Sequence, residues 1–150
     1  VKLRPARPGD IDQLLALEQA CFGDEAWPRG GIEAELTSPG RSYLVLQAGD
    51  RLLAYGGIAT GPDFAEVMTV AVHPEFQGQG WGRRLMEHLI SAAAQAGTDQ
   101  VLLEVADNNS VAISLYQSMG FAAIGSRPRY YQPSDRDALV MRLDLAEPGS

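Results

Sequence analysis

The alternation of apolar and polar positions divides the chain into short strands and amphipathic helices. Residues 1–6 form a brief extended run. Asp10 then stands as the cap of a helix in which Ile11, Leu14, Leu15, Leu17 and Phe22 recur at helical spacing. Gly23-Asp24 breaks that pattern. Trp27-Pro28 opens a second, shorter helix carrying Ile32 and Leu36, which stops before Pro39-Gly40. Residues 42–47 and 51–60 read as two strands joined by a hairpin turn at Ala48-Gly49-Asp50. Residues 64–72 are apolar and β-branched enough for a buried strand, and His73-Pro74 ends it. Residues 80–96 predict a long helix with Trp81, Leu85, Leu89 and Ala92 on one stripe, closed by Gly97. A strand over 100–106 follows. Asn109 caps a helix over 110–119, Gly120 closes it, and strands over 121–127 and 138–143 complete the pattern.

The order is β-α-α-β-β-β-α-β-α-β-β. It predicts one α/β (α+β) domain over 1–145, built on a mixed sheet with helices on both faces, and a flexible tail over 146–150. The strand–helix–strand passage over 64–106 requires a right-handed crossover.

Charge narrows the function. Twelve Lys and Arg against 19 Asp and Glu leave a net charge of -7, over 150 residues. That excludes a nucleic-acid binder held by phosphate contacts, and equally a binder of anionic membranes. It suits a cationic partner such as an amine or a basic peptide. The single cysteine, Cys21, has no partner for an internal disulfide, which fits a reducing compartment. No apolar run approaches the roughly 20 residues of a membrane span, and residues 1–5 lack the apolar core of a signal peptide. A cytoplasmic protein is expected. His73 and His88 read as structural, and Cys21 as a small buried apolar residue. No Cys/His cluster points to a metal.

The chemistry gathers at Val70-Ala71-Val72-His73-Pro74-Glu75-Phe76-Gln77-Gly78-Gln79-Gly80-Trp81-Gly82-Arg83-Arg84. A buried strand ends and alternate glycines open a long helix. Glycines let a ligand approach the backbone, and the first N–H groups of a helix lack internal partners. Such a turn is built for phosphate. Arg83 and Arg84 in the first helical turn oppose the helix dipole at about 0.3–1 kcal/mol each, a cost that a bound polyanion reverses. They read equally as two solvated arginines. The P-loop pattern is excluded because it needs a lysine after its last glycine, and the dinucleotide fingerprint because Arg83 follows Gly82.

Gln77-Gly78-Gln79-Gly80-Trp81-Gly82 resembles the Q/R-x-x-G-x-G/A signature of the GNAT acyltransferases. The resemblance implies the GNAT fold, with a mostly antiparallel sheet of six to seven strands, and acetyl-CoA as co-substrate. The pyrophosphate would lie on Gly78, Gln79, Gly80, Trp81, Gly82 and Arg83, and the pantetheine arm along Val70, Ala71 and Val72. The stretch from Leu102 to Phe121, together with Glu66 to Val72, Phe22 to Trp27 and Arg129-Tyr130-Tyr131, is similar to the RimI-type N-terminal acetyltransferases. That group modifies the N-terminal alanine of a small-subunit ribosomal protein. The resemblance implies Glu104 as general base, Tyr116 as general acid and Asn109 as a coenzyme A contact. Glu66 is the rival base, as other GNAT enzymes carry a glutamate on this strand. The loop Ala26-Trp27-Pro28-Arg29-Gly30-Gly31 departs from the Pro-Trp-Ser of many relatives, which bears on the substrate side rather than on acetyl-CoA.

The acceptor follows from acidity. A peptide α-amine has a pKa near 7.7–8.0 and lysine about 10.4, so neutralising lysine at pH 7 costs roughly 3 kcal/mol more. An N-terminal α-amine is the easier acceptor. Trp27, Tyr130 and Tyr131 would wall a groove for a peptide end, or simply close the core. Small amines or protein lysines are the alternative acceptors. A non-catalytic acyl-CoA-binding module is a reading of a different class.

Overall fold

A computed structural model describes residues 1–131 and 136–145; the side chains of residues 129–131 and 136 lie outside that description. The expected tail over 146–150 falls outside the described residues too. The elements are β1 (Lys2–Pro5), α1 (Ile11–Phe22), α2 (Arg29–Thr37), β2 (Arg41–Ala48), β3 (Arg51–Thr60), β4 (Ala65–Val72), α3 (Trp81–Gln95), β5 (Gln100–Ala106), α4 (Ser110–Ser118), β6 (Ala122–Tyr131) and β7 (Arg136–Asp144). Single 3-10 turns precede α1, follow it, and precede α3.

The strands form one sheet in the order β1-β2-β3-β4-β5-β7-β6. Every neighbouring pair is antiparallel except β4 and β5. Strand alternation sends Tyr43, Val45, Tyr55 and Ala71 into one cluster with Leu14 and Leu17 of α1 and Ile32 of α2. Leu46 and Ala54 go into another with Leu85 of α3, against which Val70 and Val72 pack. Helices therefore cover both faces, as the periodicity predicts. Gly57 admits this packing. A Cβ there would lie 2.1 Å from Tyr43 Cε2, so the Tyr43 ring occupies the space a side chain would need.

Several elements depart in detail from their sequence pattern. Asp10 holds the N-cap position of α1, but its side chain makes no cap hydrogen bond. It accepts instead from both terminal nitrogens of Arg4, each at 2.8 Å, and from the Arg7 backbone N–H. The pair is buried, and the charge-assisted contact with Arg4 holds the Asp10 carboxyl below its usual range. The fully buried stripe of α3 is Leu85, Met86, Leu89 and Ala93 rather than one ending at Ala92. The last two strands run longer than expected. β6 is an edge strand with two register shifts, a place where Gly125 and Pro128 are tolerated without ending the pairing.

One feature of the sheet positions the site. β4 pairs with β5 only at Ala65↔Val101 and Glu66↔Leu102, while its pairing with β3 continues to Val72. Beyond Glu66 the two parallel strands separate, and one edge of β4 is left without a strand partner.

Candidate active site

Two cavities lie in the opening between β4 and β5. The larger, of about 520 Å³, follows β4 to the start of α3 and is lined by Val70, Ala71, Val72, Gly78, Gly80, Trp81, Gly82, Arg83 and Asn109, with Gln77, Val111 and Leu115. The smaller, of about 200 Å³, is lined by Glu18, Phe22, Glu25 and Trp27 on one wall and by Met68, Thr69, Glu104 and Val105 on the other. Phe22, Val70, Asn109, Ala112 and Tyr116 line both, so the cavities meet at Tyr116.

The start of α3 explains what the larger cavity can hold. Gly80 is the N-cap in the left-handed region at φ 90°, and no side chain caps the helix. Arg84 N–H is the first to reach back, to the Gly80 carbonyl at 3.1 Å. The N–H groups before it remain free for an anion, and the dipole of this 15-residue helix favours one. Arg83 lines the cavity and donates to Ser118 Oγ, whereas Arg84 lies over the Trp81 ring, 5.7 Å from its centroid. Of the two arginines, only Arg83 is placed beside a ligand in this cavity. Gln79 is not among the lining residues, and its Oε1 accepts from Trp81 Nε1 at 3.3 Å. Asn109 caps α4 by accepting from Ala112 N–H at 3.2 Å. The unpaired edge of β4 and this helix start together offer free backbone groups to an extended ligand that carries negative charge.

Tyr116 and Glu104 face the junction from α4 and β5. Tyr116 is buried against Phe121, ring centroids 5.9 Å apart, and burial pushes its hydroxyl up to about 12. Glu104 is 11 % exposed and forms an ion pair with Arg127 of β6 at 3.0 Å. Glu66 does not line the smaller cavity. Its carboxyl is raised, first by burial and then by the charge of Glu104. Trp27 lines the smaller cavity, while the side chains of Tyr130 and Tyr131 lie outside the described residues.

The structure also assigns places that sequence reasoning did not. Cys21 is half-buried on the wall of the larger cavity, not a simple core residue. Its Sγ–H donates to the Val72 carbonyl at 3.2 Å, and burial together with the charge of Glu18 pushes the thiol up to about 11. His73 Nδ1 accepts from Glu75 N–H at 3.1 Å and closes the turn before α3, the structural role expected of it. Glu18 is fully buried on the wall of the smaller cavity and was not singled out. Its signal was present: position 18 follows Leu14 by four residues and so lies on the buried stripe of α1.

Among the described residues no group of three or more His, Cys, Asp or Glu is arranged to hold a metal ion, and no helix is long and apolar enough to cross a membrane.

The profile of the acetyltransferase (GNAT) family matches residues 11–121. N-alpha-acetyltransferase RimI of Mycobacterium tuberculosis is 40% identical over 144 residues, which is 93% of this chain and 89% of that protein. An uncharacterised protein of Mycobacterium leprae is 41% identical over 142 residues; the match takes in 91% of this chain but only 39% of that longer protein. The crystal structure of the ribosomal-protein-S18-alanine N-acetyltransferase from Escherichia coli superposes with a TM-score of 0.89 at 28% identity, covering 99% of this chain and 96% of that one. The chain belongs to the GNAT family, among its RimI-type N-acetyltransferases. Acetyl-CoA is the acetyl donor of this family.

Proposed function

We propose that the protein transfers the acetyl group of acetyl-CoA to the α-amine of a protein N-terminus, with alanine as the first residue and a small-subunit ribosomal protein as the natural acceptor, in the cytoplasm. One observation carries this reading. The cavity suited to the coenzyme meets a second, carboxylate-lined cavity at Tyr116, with Glu104 on the acceptor side. Val70, Ala71 and Val72 would flank the pantetheine arm. The N-terminus of α3 with Arg83 would hold the pyrophosphate. Trp27 would wall the peptide side.

In this reading the amine nitrogen attacks the thioester carbonyl carbon. The C–N bond forms and the C–S bond breaks. Glu104 takes the proton leaving the nitrogen, and Tyr116 gives its hydroxyl proton to the departing sulfur. Solvent returns the proton from Glu104 to Tyr116, so the net products are the acetylated amine and the free thiol. Glu66 is not among the residues lining the smaller cavity and is not the base in this reading; burial and then the charge of Glu104 raise its carboxyl.

The test is acetyl transfer to short peptides, read by mass. One peptide begins with Ala and carries an internal Lys; its twin has a blocked N-terminus. The reading expects a single acetyl group on the free-ended peptide and none on its twin. Labelling of the twin would show lysine chemistry, and labelling of neither, with acetyl-CoA still bound, would turn the search to small amines.

A further inference from the structure

Glu18 carries a carboxyl group into the interior without a cation beside it. The residue is 1 % exposed. Oε1 accepts from the Trp27 backbone N–H at 3.0 Å. Oε2 accepts from Tyr55 Oη–H at 2.6 Å and from Thr69 Oγ1–H at 3.1 Å. All three donors are neutral, and among the described residues no Arg, Lys or His lies within ion-pair distance of it. Buried charges are ordinarily paired, because desolvation costs several kcal/mol per ion. Packing does not ask for a carboxylate here, since Leu14, Leu17 and Ile32 fill the same cluster.

Its acceptor capacity is also incomplete. A carboxylate offers about four acceptor positions. Two on Oε2 and one on Oε1 are filled, which leaves one on Oε1. Glu18 lines the smaller cavity, so its carboxyl lies at the boundary of that space although only 1 % of the residue is exposed. The other carboxylates of the cavity are engaged. Glu104 is paired with Arg127, and Glu25 has a partner of its own. Burial first, and then the charge of Glu18, raises the neighbouring Cys21 thiol and Tyr55 hydroxyl.

We propose that Glu18 is the specificity-determining residue of the acceptor cavity: its carboxylate receives the positively charged amine of the incoming substrate through the open position on Oε1. This rests on the amine-acceptor reading above. The same side chain holds the Trp27 backbone, so one residue both fixes the wall and charges it. The duties of the two carboxylates then separate. Glu18 docks the ammonium, the main form of an α-amine at pH 7; that ammonium gives one proton to solvent before attack, and Glu104 takes the second as the C–N bond forms.

The experiment compares two ligands on the full chain saturated with coenzyme A, by calorimetry. One is an Ala-initial peptide. The other is the same peptide with its amino group replaced by hydrogen, which has the shape without the charge. A hydrogen bond to a charged group accounts for about tenfold or more in affinity. Wild-type protein should therefore bind the ammonium peptide at least about tenfold more tightly than the des-amino peptide. Glu18→Gln should erase that difference by weakening only the ammonium peptide, and should raise KM for the acceptor more than it lowers kcat. Equal loss for both ligands would mean that Glu18 merely braces the wall, and overturns the proposal. An unchanged preference in the variant overturns it too. Should the variant not fold, the wild-type comparison decides, because equal binding of the two ligands is incompatible with a docked ammonium. If the wild-type enzyme acetylates a small amine and no peptide, the N-terminal reading fails. The same pair of ligands, built on that amine, then tests Glu18 separately.

Discussion

Replacing Tyr116 by Phe removes one hydroxyl and keeps the ring against Phe121. The hydroxyl sits at about 12, against an ordinary value of 10.0, and the cause is burial. Two units correspond to about 2.7 kcal/mol of preference for the neutral phenol. At pH 10 an ordinary tyrosine is half ionised, whereas Tyr116 is only about 1 % ionised. A phenol near 12 is a poor acid toward a thiolate in water, where thiols titrate near 8.5. The surroundings change that comparison. Cys21, on the wall of the larger cavity that ends at Tyr116, is pushed up to about 11. Burial of this kind disfavours a bare thiolate, which favours transfer of the phenol's proton to a departing sulfur. Loss of a positioned general acid typically costs about 10²–10⁴ in rate. Tyr116→Phe should therefore lower kcat by at least about 100-fold while leaving KM for acetyl-CoA and the thermal shift produced by acetyl-CoA within about twofold of wild type. The wild-type kcat should show no alkaline fall below about pH 11, because the active form is the protonated one and its pKa is raised. Initial rates against pH, read by mass of the acetylated peptide, decide the matter. A loss below tenfold, or a wild-type decline centred at pH 10 or lower, would refute the role of Tyr116.

Glu104→Gln should cut kcat by about 10²-fold, and Glu66→Gln by far less, since Glu66 lies off the acceptor cavity; equal losses in single-turnover rates would reverse the assignment of the base. Asp10→Ala strands Arg4 as a buried cation and should cost about 3–5 kcal/mol, or roughly 6–20 °C in Tm. The Asp10 carboxyl is held below its usual range, so the wild-type pair stabilises above the unfolded value near 3.9, and that stability is lost as pH falls through the depressed one. Urea titrations of both proteins between pH 7 and pH 2 should converge at the acid end, and a gap that stays constant would contradict this.

Much of the fold was legible because its strands and helices are locally consistent. Leu14 and Leu17 recur on α1, β-branched residues crowd β4, and Gly97 and Gly120 mark helix ends with positive φ. What misled was tertiary. Asp10 has the chemistry of a helix cap, yet Arg4 is close enough to claim both of its oxygens, and a charged bidentate pair outweighs a cap of about 1 kcal/mol. The edge strand β6 ran past its pattern because edge strands tolerate glycine, proline and register shifts that a central strand does not.

The two halves of the site differ in how they are written. The half proposed for the coenzyme is made largely of backbone: an unpaired strand edge, a left-handed glycine and an uncapped helix start, all within residues 65–83. Contiguous backbone geometry needs particular residues at fixed spacing, so it leaves a motif. The half proposed for the acceptor is made of side chains from α1, the loop after it, β4, β5 and α4. No spacing rule links Glu18 to Thr69 or Glu104; only the sheet brings them together. A single physical oddity survives in the sequence, a carboxylate on the apolar stripe of an amphipathic helix. Such a residue is costly to bury for packing alone, so an acid at a core position is worth testing as part of a site wherever the helix carrying it abuts a splayed sheet.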